Sequence, residues 1–321
     1  MVTASFGSSG RGPRVAAVDL ARGVAIVAMV AYHTAFDLSA FGLIATDVQG
    51  SLGWKIFARL IAGSFLFLVG VSLVLASRGG LDRRAFLRRV GFIAAGAALV
   101  TLGTWWFDPA TFVYFGILHH IAVASVLAVP FLRLPSWAVA LAAVAAFAAP
   151  TFLAYPAFNA PPLLWLGLAT ELPATVDYVP LLPWFGAVLL GILGGRLLAA
   201  RGTVAQAWRP SDRVSQTLMR AGRWSLAIYL VHQPLIVGII SAAAYFMPPG
   251  EETVRATFTR QCEATCTAES ANAASCPALC GCMFENLYGT DLFATRSVDE
   301  LSPEQMTRWS EIVGRCQAPL P

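Results

Sequence analysis

Asp19, Arg22, His33 and Asp37 fall along one apolar stretch, VAAVDLARGVAIVAMVAYHTAFDL. Ionisable side chains at membrane depth are costly and normally face a protein interior or a wet cavity, so they are the first candidates for function. At ~100° and ~1.5 Å per helical residue, the step from Arg22 to His33 returns to nearly the same face, roughly 16 Å further along the axis. Asp19 and Arg22 stand in an i,i+3 relation and His33 and Asp37 in an i,i+4 relation, the separations that bring helix side chains together. Imidazole, carboxylate and guanidinium on one stripe are the parts of general acid–base or nucleophilic chemistry. His119, His120 and His232, the remaining histidines, also lie in apolar runs, and Arg59 lies at a depth close to that of His33.

The elements that must position these residues are transmembrane helices. Hydrophobic residues make up 57% of the 321 and charged residues only 12%, with a mean hydropathy of +0.66, which excludes an ordinary soluble domain. Apolar runs of spanning length occur near 16–38, 55–76, 90–106, 112–132, 136–154, 180–199 and 224–246. The fold expected is all-α: a polytopic bundle of about seven helices with a small disulfide-stapled helical tail. Three segments follow: a Gly/Ser/Arg-rich lead over 1–14, a membrane domain over 15–246, and a polar tail over 247–321, where Met247-Pro248-Pro249-Gly250 stops the last helix. No cleaved signal peptide is expected, because the first run is too long and carries Asp19 and Arg22.

Charge and cysteine place the two faces. Arg78, Arg83, Arg84, Arg88 and Arg89 crowd the loop after the second run, and Arg196, Arg201, Arg209, Arg213, Arg220 and Arg223 the loop before the seventh. Both are cytoplasmic if the N-terminus, with Arg11 and Arg14, is cytoplasmic. Seven crossings then put the tail outside. All six cysteines, Cys262, Cys266, Cys276, Cys280, Cys282 and Cys316, lie in that tail, which fits an oxidising compartment. The two signals agree on a bacterial inner membrane with a periplasmic C-terminus, ahead of a lumen or a cell surface. Cys262/Cys266 and Cys276/Cys280 have i,i+4 spacing, so pairing Cys262 with Cys280 and Cys266 with Cys276 staples a helical hairpin and leaves Cys282 for Cys316. Six cysteines allow 15 connectivities, and zinc is the competing reading of the cluster. Ser302-Pro303-Glu304-Gln305 reads as a helix start with a capping box.

Five ordered segments carry a resemblance over about 14–246. They are Asp19–Val27 followed by His33, Phe65-Leu-Phe-Leu-Val-Gly-Val-Ser72, Phe115-Gly-Ile-Leu-His119, Asp177-Tyr-Val-Pro-Leu-Leu-Pro-Trp-Phe-Gly186 and Ser225-Leu-Ala-Ile-Tyr229-Leu-Val-His232-Gln233-Pro234. Together they resemble the bacterial membrane proteins related to the catalytic domain of heparan-α-glucosaminide N-acetyltransferase, and more distantly the acyltransferase-3 family. The resemblance implies a membrane acyltransferase that moves an acyl group, acetyl above all, from cytoplasmic acyl-CoA to a glycan or other acceptor on the far side. In that scheme Arg22 steadies the donor, His33 is the base or the acyl carrier, Asp37 orients His33, and His119 or Arg59 stabilises the oxyanion. Tyr229, His232 and Gln233 line the tunnel or hold the donor, and Asp177 with Tyr178 contacts the acceptor. The 39–53 loop has no histidine, although the lysosomal enzyme carries there the one credited with its chemistry; the role given to His33 follows the acyltransferase-3 pattern. The tail has no counterpart in the resemblance.

Plainer readings stand beside these. Asp19 and Arg22 are also explained as a buried structural pair, His33 and His232 as interhelical hydrogen bonds, and Arg59 as a snorkelling cation beside Trp54 and Lys55. His120 points about 100° from His119, so one of the two faces a given site. Trp105, Trp106 and Trp184 suit an interfacial belt, and the Asp177 segment suits a rigid turn. A proton-coupled or small-solute transporter is the competing function, and an anchor presenting the tail to a protein partner is a third. Neither a metal nor a nucleic-acid partner is expected; the partners are the lipid bilayer, acyl-CoA and the acceptor.

Overall fold

The computed structural model describes residues 15–201, 208, 210–246, 250–269, 273–293 and 301–317. The 1–14 lead with Arg11 and Arg14, Arg209, and Met247-Pro248-Pro249 lie outside them. Eleven α-helices run through the described residues: α1 (Ala16–Ala40), α2 (Leu52–Ser77), α3 (Arg83–Phe107), α4 (Ile117–Leu127), α5 (Ser136–Leu153), α6 (Leu181–Ala200), α7 (Arg213–Arg223), α8 (Ser225–Phe246), α9 (Glu251–Glu269), α10 (Cys276–Leu287) and α11 (Pro303–Gln317). No strand occurs among the described residues, only an isolated bridge between Phe115 and Tyr178.

Six of these helices, α1, α2, α3, α5, α6 and α8, are long and apolar enough to cross a membrane. The fourth apolar run departs from expectation. Instead of one spanning helix it forms the 11-residue α4, an extended approach through Tyr114-Phe115-Gly116 and a 3-10 turn at Pro130–Leu132. The run nonetheless joins the two ends of α6. Near Leu181, Val179 N–H donates to the Phe115 carbonyl at 3.0 Å; near Ala200, Arg196 donates to the Phe131 and Leu134 carbonyls at 2.9 and 2.7 Å. Proline at 130 stops the helix, and the turn's carbonyls find their partners on Arg196.

Two further corrections concern arginines read as loop residues. Arg83, Arg84, Arg88 and Arg89 lie on the first turns of α3, which starts where Asp82 accepts the Ala85 N–H at 3.1 Å. Arg213, Arg220 and Arg223 lie on α7, a separate amphipathic helix capped by Asp212 through the Ser215 N–H at 2.8 Å. A hydropathy window ends where charge begins, but a helix built of good formers with a capped start continues through it.

The chain divides into two compact units. The first gathers the described residues up to His33 with Leu52–Leu235. Its core joins Leu66, Val69 and Leu73 of α2 to Val139 and Ala143 of α5 and Phe185, Val188, Leu189 and Ile192 of α6, with Ile117 and Ala124 of α4 beneath. Two glycine crossings set the helix spacing. A Cβ on Gly70 would strike the Val188 carbonyl and one on Gly191 the Phe67 carbonyl, so α2 and α6 meet backbone to backbone. Likewise a Cβ on Gly23 would strike the Leu218 carbonyl and one on Gly222 the Asp19 carbonyl, which sets α7 directly on α1. Small residues permit such approach where lipid supplies no hydrophobic drive between helices.

The second unit comprises Thr34–Ser51 and the described residues of Ile236–Pro321. Its disulfides are Cys262–Cys280, Cys266–Cys276 and Cys282–Cys316, the nested hairpin with a tether on α11. Ser302 Oγ accepts the Gln305 N–H at 3.3 Å while Gln305 Oε1 accepts the Ser302 N–H at 3.0 Å, a reciprocal capping box. Met283, Leu287, Leu292 and Ile312 form the small core, and Arg260 donates to the Ala45 carbonyl at 2.8 Å, holding α9 on the 41–51 loop.

Gly70→Val should lower the detergent melting temperature by the equivalent of roughly 1–3 kcal/mol or prevent folding, because the added atoms meet backbone. Gly63→Ala, whose Cβ would stand 3.8 Å from the Trp184 ring, should melt as wild type.

Candidate functional site

A cavity of about 500 Å³ opens among α1, α2, α3, α4, α7 and α8. Four arginines line it, Arg22, Arg88, Arg89 and Arg223, together with an apolar wall that includes Ile26, Phe65, Ile93, Ile117, Leu118, Ile121 and Leu226, and Tyr229. The arginines come from the starts of α1 and α3 and the end of α7. Arg78, at the end of α2, bonds the Ala199 carbonyl at 2.8 Å, so this is also the end where α6 finishes.

Arg22 is both a structural partner and a cavity residue. Its guanidinium stands 3.5 Å from the Asp19 carboxylate and donates to the Ser72 hydroxyl, which in turn donates to the Leu68 carbonyl. The pairing compensates the charge, and the cavity face of the guanidinium remains among the lining groups. Sequence reading placed Arg88, Arg89 and Arg223 in cytoplasmic loops and missed them as cavity residues. The signal was there: Arg88-Arg89 runs without a break into the apolar part of α3.

Tyr229 links this cavity to the histidines. Its ring centroid lies 5.6 Å from that of His232, and the His232 centroid lies 5.0 Å from that of His33 in an edge-on contact. His232 Nδ1 is 2.6 Å from the Tyr229 carbonyl oxygen, so the ring donates there and its orientation is set by its own helix. His33 also meets Tyr32 at 5.5 Å, within an aromatic group containing Trp54 and Phe57. Asp37 is buried and falls in the second compact unit, and Gln233, half-buried, follows His232.

The other candidates lie apart from the cavity. Arg59 is exposed and does not line it. His119 accepts the Gly116 N–H at Nδ1, 3.3 Å, and its Nε2 meets the Thr101 hydroxyl at 3.1 Å, so both ring nitrogens are engaged between α3 and α4. His120 is fully buried with Nδ1 3.2 and 3.1 Å from the Val179 and Pro180 carbonyls. Asp177 accepts the Ile117 N–H at 3.1 Å, capping α4 from a distant segment. Burial pushes its carboxyl above the usual range, and the Ile117 N–H opposes that shift. Tyr178 donates to the Leu164 carbonyl at 2.6 Å and Thr175 to the Phe112 carbonyl at 2.7 Å. The Phe115–His119 and Asp177–Gly186 segments therefore form one brace.

The model of the family described as heparan-alpha-glucosaminide N-acetyltransferase, catalytic, matches residues 14–234, about two thirds of the chain. The chain belongs to this family. No curated protein and no solved structure matches it. The matched region ends at Pro234, so it holds the whole cavity, His33 and His232, and stops short of the cysteine-rich tail. As a member of a membrane acetyltransferase-like family with several apolar spans, the protein is a multi-pass membrane protein.

The brace between the 112–119 and 175–180 segments is testable. Asp177→Ala removes the cap on α4 and should destabilise the fold by about 0.5–2 kcal/mol. Asp177→Asn keeps an oxygen for the Ile117 N–H and, because burial already disfavours the ionised carboxyl, should melt close to wild type in detergent.

Proposed function

We propose that the protein is an integral membrane acyltransferase that takes an acyl group, acetyl in the first instance, from acyl-CoA at the arginine-rich end and delivers it to a glycan or other acceptor at the opposite end. The observation that carries this reading is the cavity, with four arginines on its lining and an apolar wall running to Tyr229. Its volume suits a small organic ligand. Guanidinium groups pair bidentately with phosphate, and coenzyme A carries several phosphate groups on one end and a neutral pantetheine arm with the thioester on the other. Arg22, Arg88, Arg89 and Arg223 would hold the phosphates, and the apolar wall the arm.

His33 is the base for the acceptor or the transient acyl carrier, reached through Tyr229 and His232. The arginine end faces the cytoplasm, by the positive-inside rule, and the disulfide-bonded tail faces the periplasm of a bacterial inner membrane. The acceptor arrives from that side. Asp37 orients His33 from one turn away on α1, Gln233 assists at the acceptor end, and the tail offers a surface to a protein partner.

In proteoliposomes the purified protein should release thiol from acetyl-CoA only when an amino or hydroxyl sugar is present, and His33→Ala should abolish the release. Arg89→Ala should weaken acetyl-CoA binding by roughly 10- to 100-fold, the scale of a lost charge-assisted hydrogen bond of about 1.5–3 kcal/mol, and Arg59→Ala should not change it. Acetyl-CoA binding that Arg89→Ala leaves unchanged, or thiol release that His33→Ala leaves intact, would refute the assignment.

A further inference from the structure

His232 holds an unusual atom. A carbonyl oxygen only accepts, so the 2.6 Å contact with the Tyr229 carbonyl fixes the proton on Nδ1 and leaves Nε2 a lone pair. That Nε2 is buried and has no hydrogen-bond partner, and the residue as a whole is 8% exposed. A buried basic nitrogen left unsatisfied weakens a fold, and such atoms call for a functional account. Its position supplies one. On one side the ring meets Tyr229, which lines the arginine cavity; on the other it meets His33 edge-on. His119, by contrast, has both nitrogens engaged, and His120 Nε2, though also unpartnered, sits on α4 in neither ring contact.

Acyl transfer from a thioester must move one proton from the acceptor to the departing sulfur. Resting on the acyltransferase reading, we propose that His232 is a second catalytic residue, whose Nε2 receives that proton by way of His33 and returns it to sulfur. As the acceptor oxygen or nitrogen bonds to the thioester carbon, His33 takes its proton. The doubly protonated His33 ring releases its other proton to His232 Nε2. The C–S bond breaks with its electron pair on sulfur, and His232 passes the proton to the thiolate. Both rings return to neutral, and the products are the acylated acceptor and free thiol. The rings stand in the order Tyr229, at the cavity wall, then His232, then His33, so His232 is the histidine nearer the cavity along this chain of contacts.

The test uses the full chain in proteoliposomes, with acetyl-CoA as donor and an acceptor sugar that the wild type acetylates. Gln at position 232 keeps an N–H for the Tyr229 carbonyl but cannot carry the proton; Ala leaves a space. His232→Gln and His232→Ala should bind acetyl-CoA as wild type does and keep its KM, while kcat falls roughly 10²- to 10⁴-fold, the usual worth of a general acid–base group. Added imidazole should restore part of the turnover of His232→Ala and none of that of His232→Gln. An unchanged kcat in His232→Gln, loss of acetyl-CoA binding in both variants, or a kcat loss that imidazole cannot relieve in His232→Ala would overturn the proposal and assign His232 to packing. Wild-type protein that releases no thiol from acetyl-CoA with any acceptor would instead remove the acyltransferase reading itself.

Discussion

A guanidinium two turns inside an apolar helix has to be compensated, and the manner in which Arg22 is compensated organises the helices around it. Asp19 supplies the opposite charge from the same helix, and the Ser72 hydroxyl supplies a hydrogen-bond acceptor from α2. Removing either partner would leave a charge in a low-dielectric interior, which costs far more than the pair contributes. The backbone contact of Asp19 and Gly23 with Gly222 and Leu218 occurs at the same level of α1. One turn of α1 thus ties α2 and α7 together and leaves the remaining face of Arg22 on the cavity. Asp19, Arg22 and Gly23 supply both the ion pair and the crossing.

The opposite end of the first unit is held by polar contacts of another kind. There α4 is too short to cross by itself, and its start is exposed to the low-dielectric interior unless something satisfies its N–H groups. Asp177 does so at Ile117, while His120 takes up the carbonyls of Val179 and Pro180. Two histidines adjacent in sequence therefore brace the fold in different directions. His33 on α1 and His232 on α8 come from helices far apart in sequence and meet edge-on, with Tyr229, which packs against several core groups at once, between His232 and the cavity.

Local features were legible in the sequence, and features of relative helix placement were not. The i,i+4 cysteine spacing indicated the hairpin found in the tail, and Ser302 to Gln305 indicated the capping box, because both depend only on the geometry of one helix or two adjacent ones. Six of the seven spanning runs appear as single long helices for the same reason. The 112–132 run was misjudged because its extended start is stabilised by partners at 175–179, some 60 residues away. Arg88, Arg89 and Arg223 were assigned to loops because hydropathy reports where a chain turns polar and not where a helix begins. Asp19, Arg22, His33, Tyr229 and His232 stand out in the sequence as residues with something to explain, yet only the packing of α1 against α8 brings His33 and His232 together. His119, engaged by Thr101 and Gly116, is not among the cavity's lining residues.

The proposed acyltransferase activity requires a directed transfer between two membrane faces. In proteoliposomes of uniform orientation, radiolabelled acetyl-CoA confined to the face carrying Arg88 and Arg89 and an impermeant amino sugar confined to the opposite face should give labelled sugar. The reversed arrangement should give none. Label appearing on the sugar only when donor and acceptor share one face, or no label with either arrangement despite acetyl-CoA binding at the arginines, would contradict it.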